Sequence, residues 1–565
     1  MRERAWVLLL LVGGACAPAG PAARPEAPSR APTARSTSGM VVSGSQYATE
    51  AGVRMLERGG NAVDAAVAAA FALAVAEPTQ SGLGGRTQIL IRRADGAVHG
   101  IDGTTEVPAG YDAESAPRGE HGHAAVGIPG TVAALTRALA EHGTLPLEVV
   151  VAPALAWARD GIVLSAGEAA RLAGVSDELD PASEAARIFL GPDGAPLPAG
   201  ASLRQPDLAD VLEAIASGGP DAFYTGAIAR RIAEDMAANG GYVTARDLAG
   251  YRAMDSFVGV GAFRDAEVVG SYLPASGVTV IEILQVLDRL DLTGLDERAW
   301  AAAVVESLLA GFEDRELAEA MAPAEAVAWL TSDSLADRRG AGVRDALRDL
   351  ALARADPAGL RRAMPDGPAP RAVRPAAAAA SVVRGPEPPF TTHVSAADTF
   401  GNAVALTQSL GPTLGARVVT PGLGFLYAST LGGYLTGGGP GYRPWSSQAP
   451  LIVVGGGKPM LVLGGAGARR IVSALVTVLD RVLRSGEEVR VAMDAPRLHP
   501  TGGEVLVEEG WAEVEGLEAL GFEVVPTERT FFARLNAIRI AGDGTFLGVG
   551  EPRWPESAAG GPGIP

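Results

Sequence analysis

The sequence predicts a mixed fold of the α/β or α+β class, in which helices pack on β-sheets. Helical and strand-like stretches alternate along the chain, most clearly from Glu267 to Leu290. The 565 residues include 73 glycines, whereas aromatic residues make up only 5%. A core with few aromatic side chains must be built from closely packed Ala, Val and Leu, which is typical of layered structures.

The charge of the chain restricts its partners. The formal net charge is −18, so the protein is repelled by nucleic acid and by anionic membrane surfaces. We therefore expect small-molecule chemistry and no nucleic-acid partner. Cys16 is the only cysteine, and no intramolecular disulfide can form.

The N-terminus predicts export. Residues 1–16 contain a basic start, a short apolar run and small residues before Cys16, and the run is too short to span a membrane. The end of this segment resembles a bacterial lipoprotein processing site, although Gly13 stands where that site usually has Leu. A plain signal peptide, whose cleavage discards Cys16, is the alternative. Residues 17–38, rich in Ala and Pro, are predicted to form a tether, and the protein to reach the periplasm or the outer membrane.

The first ordered elements are two helices and a strand. Apolar spacing predicts a helix from Gln46 to Arg58, and an almost wholly apolar run predicts a buried helix from Ala62 to Ala76, capped by Asn61. A Gly-rich turn at 81–85 then leads into a strand from Thr87 to Arg92. Phosphate loops follow a strand and open a helix, so this order disfavours a phosphate site.

The remaining elements follow the same alternation, and the chain has one interior low-complexity stretch. Residues 361–390 hold seven prolines and an Ala run, and we place the natural break of the chain there. The predicted helices are 131–141, 206–216, 227–237, 306–321 and 470–483, and the predicted later strands are 391–398, 402–409, 451–454, 460–463 and 503–507.

The junction between the Pro-rich stretch and the strand at Thr391 is the first candidate site. If the preceding peptide bond were cut, Thr391 would carry its hydroxyl and a free α-amine on one residue. Such an amine can take the proton of the hydroxyl, so nucleophile and base need no separate histidine. The alternative is an ordinary linker before an ordinary edge strand.

Other stretches offer weaker candidates. The turn at 464–468 lies between a strand and a helix, where backbone amides can stabilise an oxyanion or can simply pack tightly. Ser446 and Ser447 can donate hydrogen bonds to a ligand or cap a turn. The six histidines are scattered, so we expect no metal site. No Gly-x-Ser-x-Gly elbow is present, but spacing alone leaves a Ser-His-Asp site open.

A series of motifs runs in order from about residue 40 to the C-terminus and resembles the γ-glutamyltranspeptidase family. The motifs are Glu50-Ala-Gly, Gly59-Gly-Asn-Ala-Val-Asp-Ala-Ala66, Glu77-Pro, Ser81-Gly-Leu-Gly-Gly85, Gly127-Ile-Pro-Gly-Thr131, Ala222-Phe-Tyr-x-Gly226, Gly240-Gly-x-x-Thr-x-x-Asp-Leu248, Thr391-Thr-His393, Asp398-x-x-Gly-Asn-Ala-Val404, Arg443-Pro-x-Ser-Ser447 and Ala495-Pro-Arg497.

The resemblance implies an N-terminal-nucleophile hydrolase with an αββα sandwich, a four-layer α+β fold. It implies that the precursor cleaves itself between Phe390 and Thr391. The products are a large subunit over residues 39–390 and a small subunit over 391–565, which stay together. No cofactor is implied. The small-molecule partners are an amide substrate and a water or amine acceptor.

The resemblance also assigns roles. Thr391 corresponds to the nucleophile and, through its α-amine, to the base. Ser409 stands where the family has a second Thr that hydrogen-bonds the nucleophile. Gly467 and Ala468 match the pair whose amides form the oxyanion hole. The pair that contacts the substrate carboxylate is matched by Ser446 and Ser447.

The residues that differ from the family pattern stand at positions that bind the substrate in the family. The Arg that grips the glutamyl α-carboxylate in the family is replaced by Thr104. Gly433 stands where an Asp holds the α-ammonium, and Thr430 and Gly411 replace polar contacts. Arg86, in place of a Gly, either supplies a different cation or is a surface arginine at the start of a strand.

Three hypotheses follow for function. The first is an exported amidohydrolase or acyltransferase that cleaves a γ-glutamyl or related acyl amide through an acyl-enzyme on Thr391. The second is an acylase for a non-glutamyl N-acyl amide or a lactam-like compound. The third is a catalytically silent binding homologue. The catalytically silent homologue is disfavoured by the presence of Thr391, Ser409 and the oxyanion turn. Ordinary γ-glutamyl substrates are disfavoured by the altered pocket.

Overall fold

The computed structural model describes residues 32–353 and 391–563, except 273, 293 and 436. Within these ranges the chain forms two seven-stranded sheets and two small ones. Sheet A has the order β1-β18-β17-β13-β12-β9-β8, and sheet B the order β19-β2-β10-β11-β3-β4-β7. Neighbouring strands in both large sheets are antiparallel.

The strands of sheet A are β1 (Thr33–Ser36), β8 (Phe257–Phe263), β9 (Ala266–Tyr272), β12 (Leu451–Gly455), β13 (Lys458–Ala466), β17 (Arg534–Ile540) and β18 (Phe546–Val549). Sheet B contains β2 (Met40–Ser43), β3 (Arg86–Arg92), β4 (Val98–Gly103), β7 (Met254–Asp255), β10 (Thr391–Ala397), β11 (Ala403–Ser409) and β19 (Ala558–Gly560). The small sheets are β5 (Ile162–Val163) with β6 (Ser202–Leu203), and β14 (Leu498–Pro500) with β15 (Glu504–Glu508) and β16 (Glu523–Thr527).

The helices are α1 (Gln46–Glu57), α2 (Ala62–Ala76), α3 (Thr131–His142), α4 (Leu147–Asp160), α5 (Ala166–Ala173), α6 (Glu184–Phe189), α7 (Pro206–Tyr224), α8 (Ala227–Ala238), α9 (Ala245–Gly250), α10 (Gly277–Asp288), α11 (Glu297–Ala318), α12 (Pro323–Leu330), α13 (Asp333–Ala353), α14 (Arg470–Leu483), α15 (Val489–Asp494) and α16 (Val514–Leu520). No helix in the described ranges is long and apolar enough to cross a bilayer.

Three apolar layers separate four layers of secondary structure. Between the sheets, Val42 and Leu90 of sheet B pack in one buried cluster with Ile452 and Ile538 of sheet A. The outer face of sheet B is covered by α1 to α4 and α7, and that of sheet A by α10, α11, α13 and α14. Each sheet thus buries one face against the other sheet and one face against helices, which is a stable arrangement for two stacked sheets. This arrangement confirms the four-layer αββα sandwich.

Helix α2 shows how local sequence specifies one layer. All of its residues are buried, as its apolar composition predicts. The Asn61 side chain accepts from the Val63 and Asp64 amides, and the Asp64 carboxylate accepts from the Asn61 amide. This reciprocal cap satisfies donors that would otherwise be buried without partners. The predicted bounds of α2 and of α14 are confirmed.

Other predicted bounds were wrong. Helix α11 begins at Glu297 rather than Glu306, because Asp296 caps it by accepting from the Ala299 amide. Within the predicted tether, Thr33–Ser36 form β1 and pair with β18. Residues 17–31, the signal region and the Pro-rich stretch 361–390 lie outside the described residues.

A buried ion network fixes β17 against the C-terminal segment. The Glu551 carboxylate accepts from the Leu535 amide (2.7 Å), from Arg497 (2.9 Å) and from Arg553 (2.9 Å). Burial alone would raise the pKa of Glu551, but the two guanidinium groups hold it below its ordinary value. Leu535 adjoins Arg534, so this network also positions the candidate site described below.

We expect Glu551→Ala to lower the free energy of unfolding by about 3–5 kcal/mol, because it leaves the buried Arg497 without its carboxylate partner and Arg553 with Glu508 alone. The matched control is Glu213→Ala, which breaks the exposed pair with Arg159 and costs less than about 1 kcal/mol. Urea denaturation measures both. Because folding lowers the pKa of Glu551, its ionised carboxylate stabilises the folded state at pH values above the ordinary glutamate pKa. We therefore expect that contribution to disappear as the pH falls below about 4. A Glu551→Ala cost equal to that of the control would contradict this account.

Candidate active site

Thr391 is the first residue of β10 and lies inside sheet B, with 7% of its surface exposed. In the antiparallel register it is paired with Ser409, the last residue of β11. Its hydroxyl donates to Ser409 Oγ (3.2 Å), which also accepts from the Gly411 amide (3.0 Å). The structure therefore places the hydroxyl groups of Thr391 and Ser409, both predicted to act in the reaction, within hydrogen-bond distance.

Arg534 holds the backbone of Thr391 from the opposite sheet. Its Nη2 donates to the Thr391 carbonyl (2.6 Å) and to the side chain of Gln80, and its Nη1 lies 3.5 Å from Glu77 Oε1. Arg534 is buried and stacks on Trp554. Sequence reasoning missed this residue, although Glu77 belongs to one of the recognised motifs.

His393 is a structural histidine. Its Nδ1 lies 2.8 Å from Thr407 Oγ1, and its Nε2 lies 3.1 Å from Ser395 Oγ. Burial lowers the pKa of His393 to about 3, so the ring is neutral at physiological pH. Among the described residues, the hydroxyl of Thr391 donates a hydrogen bond to Ser409 and not to a histidine. A base for Thr391 must therefore come from another group, and its own α-amine has the required chemistry.

The turn after β13 is the candidate oxyanion site. Ala466, at the end of β13, is paired with Arg534 of β17, whose guanidinium reaches Thr391. Gly467 and Ala468 follow with φ of +140° and +53°, and α14 begins at Arg470. A Cβ on residue 467 would lie 2.7 Å from Ala533 Cα, so only glycine fits there.

This turn combines strain with favourable electrostatics. A left-handed conformation is costly for alanine and is often retained where a site requires it. Two successive amides at a helix N-terminus stabilise a developing negative charge. In the described ranges, neither the Gly467 nor the Ala468 amide donates to a backbone acceptor.

Ser446 and Ser447 are connected to the same sheet. Their neighbour Gln448 donates to the Thr407 carbonyl of β11 (2.9 Å). Ser447 Oγ accepts from Arg315 Nη1 (3.3 Å). Burial, and to a smaller degree the nearby Arg469, lowers the pKa of Arg315 to about 10, so the guanidinium remains charged near neutrality. No motif in the sequence predicts a cation beside this serine pair.

Thr104 and Thr430 are fully buried and already paired. Thr104 Oγ1 accepts from Gln88 (2.9 Å), and Thr430 Oγ1 donates to Thr105 Oγ1 (2.9 Å). Neither hydroxyl is hydrogen-bonded to Thr391 among the described residues. The structure thus places both threonines in packed contacts around the site.

Arg86 is buried, so its interpretation as a surface arginine was wrong. Only 2% of its surface is exposed, and it opens β3 opposite Ser409. Its Nη2 donates to the Tyr434 hydroxyl, and its guanidinium carbon lies 4.8 Å from the centre of that ring. Nε and Nη1 have no hydrogen-bond partner among the described residues. The ends of β3, β11 and β10 therefore carry a cation, a hydroxyl and the candidate nucleophile side by side.

Comparison with known proteins identifies the family. The profile described as gamma-glutamyltranspeptidase matches residues 48–561. The chain belongs to the γ-glutamyltranspeptidase family. It is 34% identical over 553 residues to the glutathione hydrolase proenzyme of Escherichia coli K12, covering 92% of this chain and 91% of that protein. It is 33% identical over 547 residues to the acylase ACY 1 proenzyme of Pseudomonas sp. SE83, with coverages of 90% and 91%.

A solved structure supports the fold. The cephalosporin acylase of Bacillus halodurans superposes with a TM-score of 0.80 at 24% identity, covering 96% of this chain and 98% of that one. This likeness confirms the N-terminal-nucleophile hydrolase fold. The family match and the glutathione hydrolase relative confirm a γ-glutamyltranspeptidase-like hydrolase. Because its relatives include both a glutathione hydrolase and an acylase, family membership leaves the substrate open. No group of three or more His, Cys, Asp or Glu is arranged to hold a metal within the described residues.

Proposed function

We propose that this γ-glutamyltranspeptidase-family chain cleaves itself between Phe390 and Thr391 and then hydrolyses or transfers the acyl group of a small amide. The observation that carries the proposal is the Thr391 hydroxyl, hydrogen-bonded to Ser409 at the start of β10. The relatives are named proenzymes, which supports a precursor that must be cut.

Self-processing uses the same hydroxyl as catalysis. Thr391 Oγ attacks the Phe390 carbonyl carbon, the peptide C–N bond breaks, and the threonine nitrogen is released as an α-amine that takes up the hydroxyl proton. Water then hydrolyses the resulting ester, which frees the Phe390 carboxylate and restores the hydroxyl. The mature small subunit would begin with Thr391.

In the catalytic cycle the α-amine takes the hydroxyl proton while Thr391 Oγ attacks the substrate carbonyl. The amides of Gly467 and Ala468 would stabilise the tetrahedral oxyanion, since both are available at the N-terminus of α14. The amine proton passes to the leaving nitrogen, and an acyl ester remains on Thr391. Water or an acceptor amine attacks that ester and completes hydrolysis or transfer.

For the acyl group we favour the acylase hypothesis over an ordinary γ-glutamyl substrate. The position that the family resemblance assigns to the carboxylate-binding Arg holds Thr104, which is buried against Gln88. The position assigned to the ammonium-binding Asp holds Gly433. An acylase among the relatives supports this choice. The silent-homologue hypothesis is disfavoured by the intact contact between Thr391 and Ser409.

The decisive experiment is to trap the acyl-enzyme. Purified protein is mixed with an acyl anilide, quenched in acid within milliseconds to seconds, and analysed by intact mass spectrometry. We expect a small subunit beginning TTHVS that gains the mass of the acyl group, located on Thr391 by peptide mapping. A chain that remains whole and gains no acyl mass under any condition would instead support the silent homologue.

We also propose export with lipid attachment at Cys16, on the basis of the apolar run that precedes it and the Ala/Pro-rich segment that follows. We expect Cys16→Ala to move the protein from the membrane fraction to the soluble fraction. Detergent partitioning and the intact mass of the mature N-terminus measure the change. Unchanged fractionation, together with a wild-type mass that lacks lipid, would contradict lipidation.

A further inference from the structure

Arg470, the first residue of α14, holds the turn that carries the candidate oxyanion amides. Its backbone amide donates to the Gly467 carbonyl (3.2 Å), and its side-chain Nε donates to the same oxygen (3.1 Å). Only 3% of Arg470 is exposed, and its guanidinium carbon lies 4.0 Å from the centre of the Phe531 ring. Two donors of one buried residue thus fix a single carbonyl. The guanidinium is charged, which makes its hydrogen bond stronger than that of a neutral donor.

Fixing this carbonyl also fixes the direction of the next amide. A trans peptide is planar, and its C=O and N–H groups point in opposite directions. The Gly467 carbonyl points at Arg470, so the N–H of Ala468, which belongs to the same peptide, points away from Arg470. Gly467 and Arg470 are buried, whereas Ala468 is partly exposed. The two hydrogen bonds from Arg470 therefore turn this N–H away from the buried side of the turn.

The backbone of Ala468 opposes this orientation. Its φ of +53° lies in the left-handed region, which is costly for any residue with a Cβ. A half-turn of the peptide plane between Gly467 and Ala468 would take φ out of that region, and it would also reverse the direction of the N–H. A strained conformation persists only where the surrounding structure holds it, and the hydrogen bonds from Arg470 act directly on this peptide.

We propose that Arg470 is a positioning residue for the oxyanion turn, which locks the peptide between Gly467 and Ala468 with the Ala468 N–H directed at the tetrahedral oxyanion. Its guanidinium also polarises the carbonyl that it binds, which makes the N–H of the same peptide a better donor. Arg470 acts through one peptide group and not by contact with the substrate. This inference rests on the proposed acyl-enzyme chemistry and adds a residue to it.

The first test is the kinetics of processed Arg470→Met, which keeps an apolar side chain beside Phe531 but has no donor. The substrate is whichever of the glutaryl, pentanoyl and γ-glutamyl anilides the wild type hydrolyses fastest. Removing an oxyanion donor lowers kcat by about 10²–10³-fold, and Arg470→Met loosens a donor without removing it. We therefore expect kcat to fall by about tenfold to a hundredfold. KM should stay within about twofold of wild type, because the oxyanion forms only in the transition state.

Inhibition by butylboronic acid gives a second readout. Thr391 Oγ adds to boron, the hydroxyl proton passes to the α-amine, and the tetrahedral boronate carries the negative charge. Such an adduct resembles the transition state, so its inhibition constant should rise by the same factor by which kcat falls. Arg470→Lys, which keeps a charge and a donor, should lose less than Arg470→Met in both measurements.

A double variant tests the peptide lock itself. Glycine adopts positive φ without strain, so with Ala468→Gly the peptide is no longer driven to rotate. We expect the loss of kcat caused by Arg470→Met to be at least about threefold smaller in the Ala468→Gly background. The matched control is Arg469→Met. That neighbouring arginine lies 3.6 Å from Glu316, and its loss should leave kcat within about threefold of wild type.

Two results would overturn the role of Arg470 while leaving the acyl-enzyme proposal intact. One is wild-type kcat in Arg470→Met, and the other is a loss of kcat that is the same with alanine and with glycine at position 468. If Arg470→Met does not fold and process, Arg470→Lys takes its place in the cycle and the same two results decide. A wild type that fails to process, or that hydrolyses none of the three anilides, would instead overturn the proposed function itself.

Discussion

Thr391→Ala is expected to remain a single chain and to lose amide hydrolysis by about 10⁴-fold or more, as expected when a nucleophile is removed. The same hydroxyl would attack Phe390 during processing and the substrate during turnover, so one change removes both reactions. Sodium dodecyl sulfate gels and intact mass report processing, and an anilide assay reports activity. The fold itself should survive, because the change removes one side-chain hydrogen bond and one methyl group.

Thr391→Ser is the matched variant, since it keeps the hydroxyl that donates to Ser409 and loses only a methyl group. We expect it to give two chains and to retain measurable hydrolysis. Two chains and wild-type activity from Thr391→Ala would show that another residue is the nucleophile, and the assignment of the site would be wrong.

The second large effect concerns substrate choice. We expect wild-type kcat/KM for the glutaryl anilide to exceed that for the γ-glutamyl anilide by about a hundredfold to a thousandfold. The two substrates share the acyl chain and the carboxylate, and differ in the α-ammonium. Enclosing that ammonium without a partner costs roughly 2–5 kcal/mol, and each 1.4 kcal/mol is a factor of ten.

Glu120 provides the control for this comparison, because its carboxylate is near Gly433. If the wild type prefers the γ-glutamyl anilide and Glu120→Gln removes that preference, Glu120 replaces the missing Asp in space. The pocket would then be a zwitterion site, and the interpretation of its charges would be wrong. Equal, low γ-glutamyl turnover in the wild type and in Glu120→Gln supports an anionic acyl group.

Local sequence was sufficient to predict an element wherever residues close in the chain satisfy each other's hydrogen bonds or form a regular apolar pattern. The reciprocal cap of Asn61 and Asp64 and the apolar run behind it define α2 almost without help from the rest of the chain. Alternating residues around the turn at 399–401 define the hairpin of β10 and β11. The ordered motifs then identified the family, and with it Thr391, Ser409 and the turn at Gly467 as candidate site residues.

Local patterns were insufficient to predict an element where the residues it packs against or pairs with are distant in the sequence. Helix α11 is buried on several sides, so its first turns lack the one-sided apolar spacing that marks a helix. The segment 33–36 is short and mostly polar, so its own residues do not predict a strand. It forms β1 because its backbone pairs with β18.

By itself, the sequence determined the fold class and the family, and it predicted Thr391 as the nucleophile, because those inferences depend on residue types in a fixed order. Tertiary structure alone decided which charges surround the nucleophile. Arg534 reaches Thr391 from 143 residues away, and Tyr434, 348 residues from Arg86, contacts its guanidinium. The charge state, burial and pairing of these groups depend on contacts between sheets and loops, and no local pattern of residues encodes such contacts.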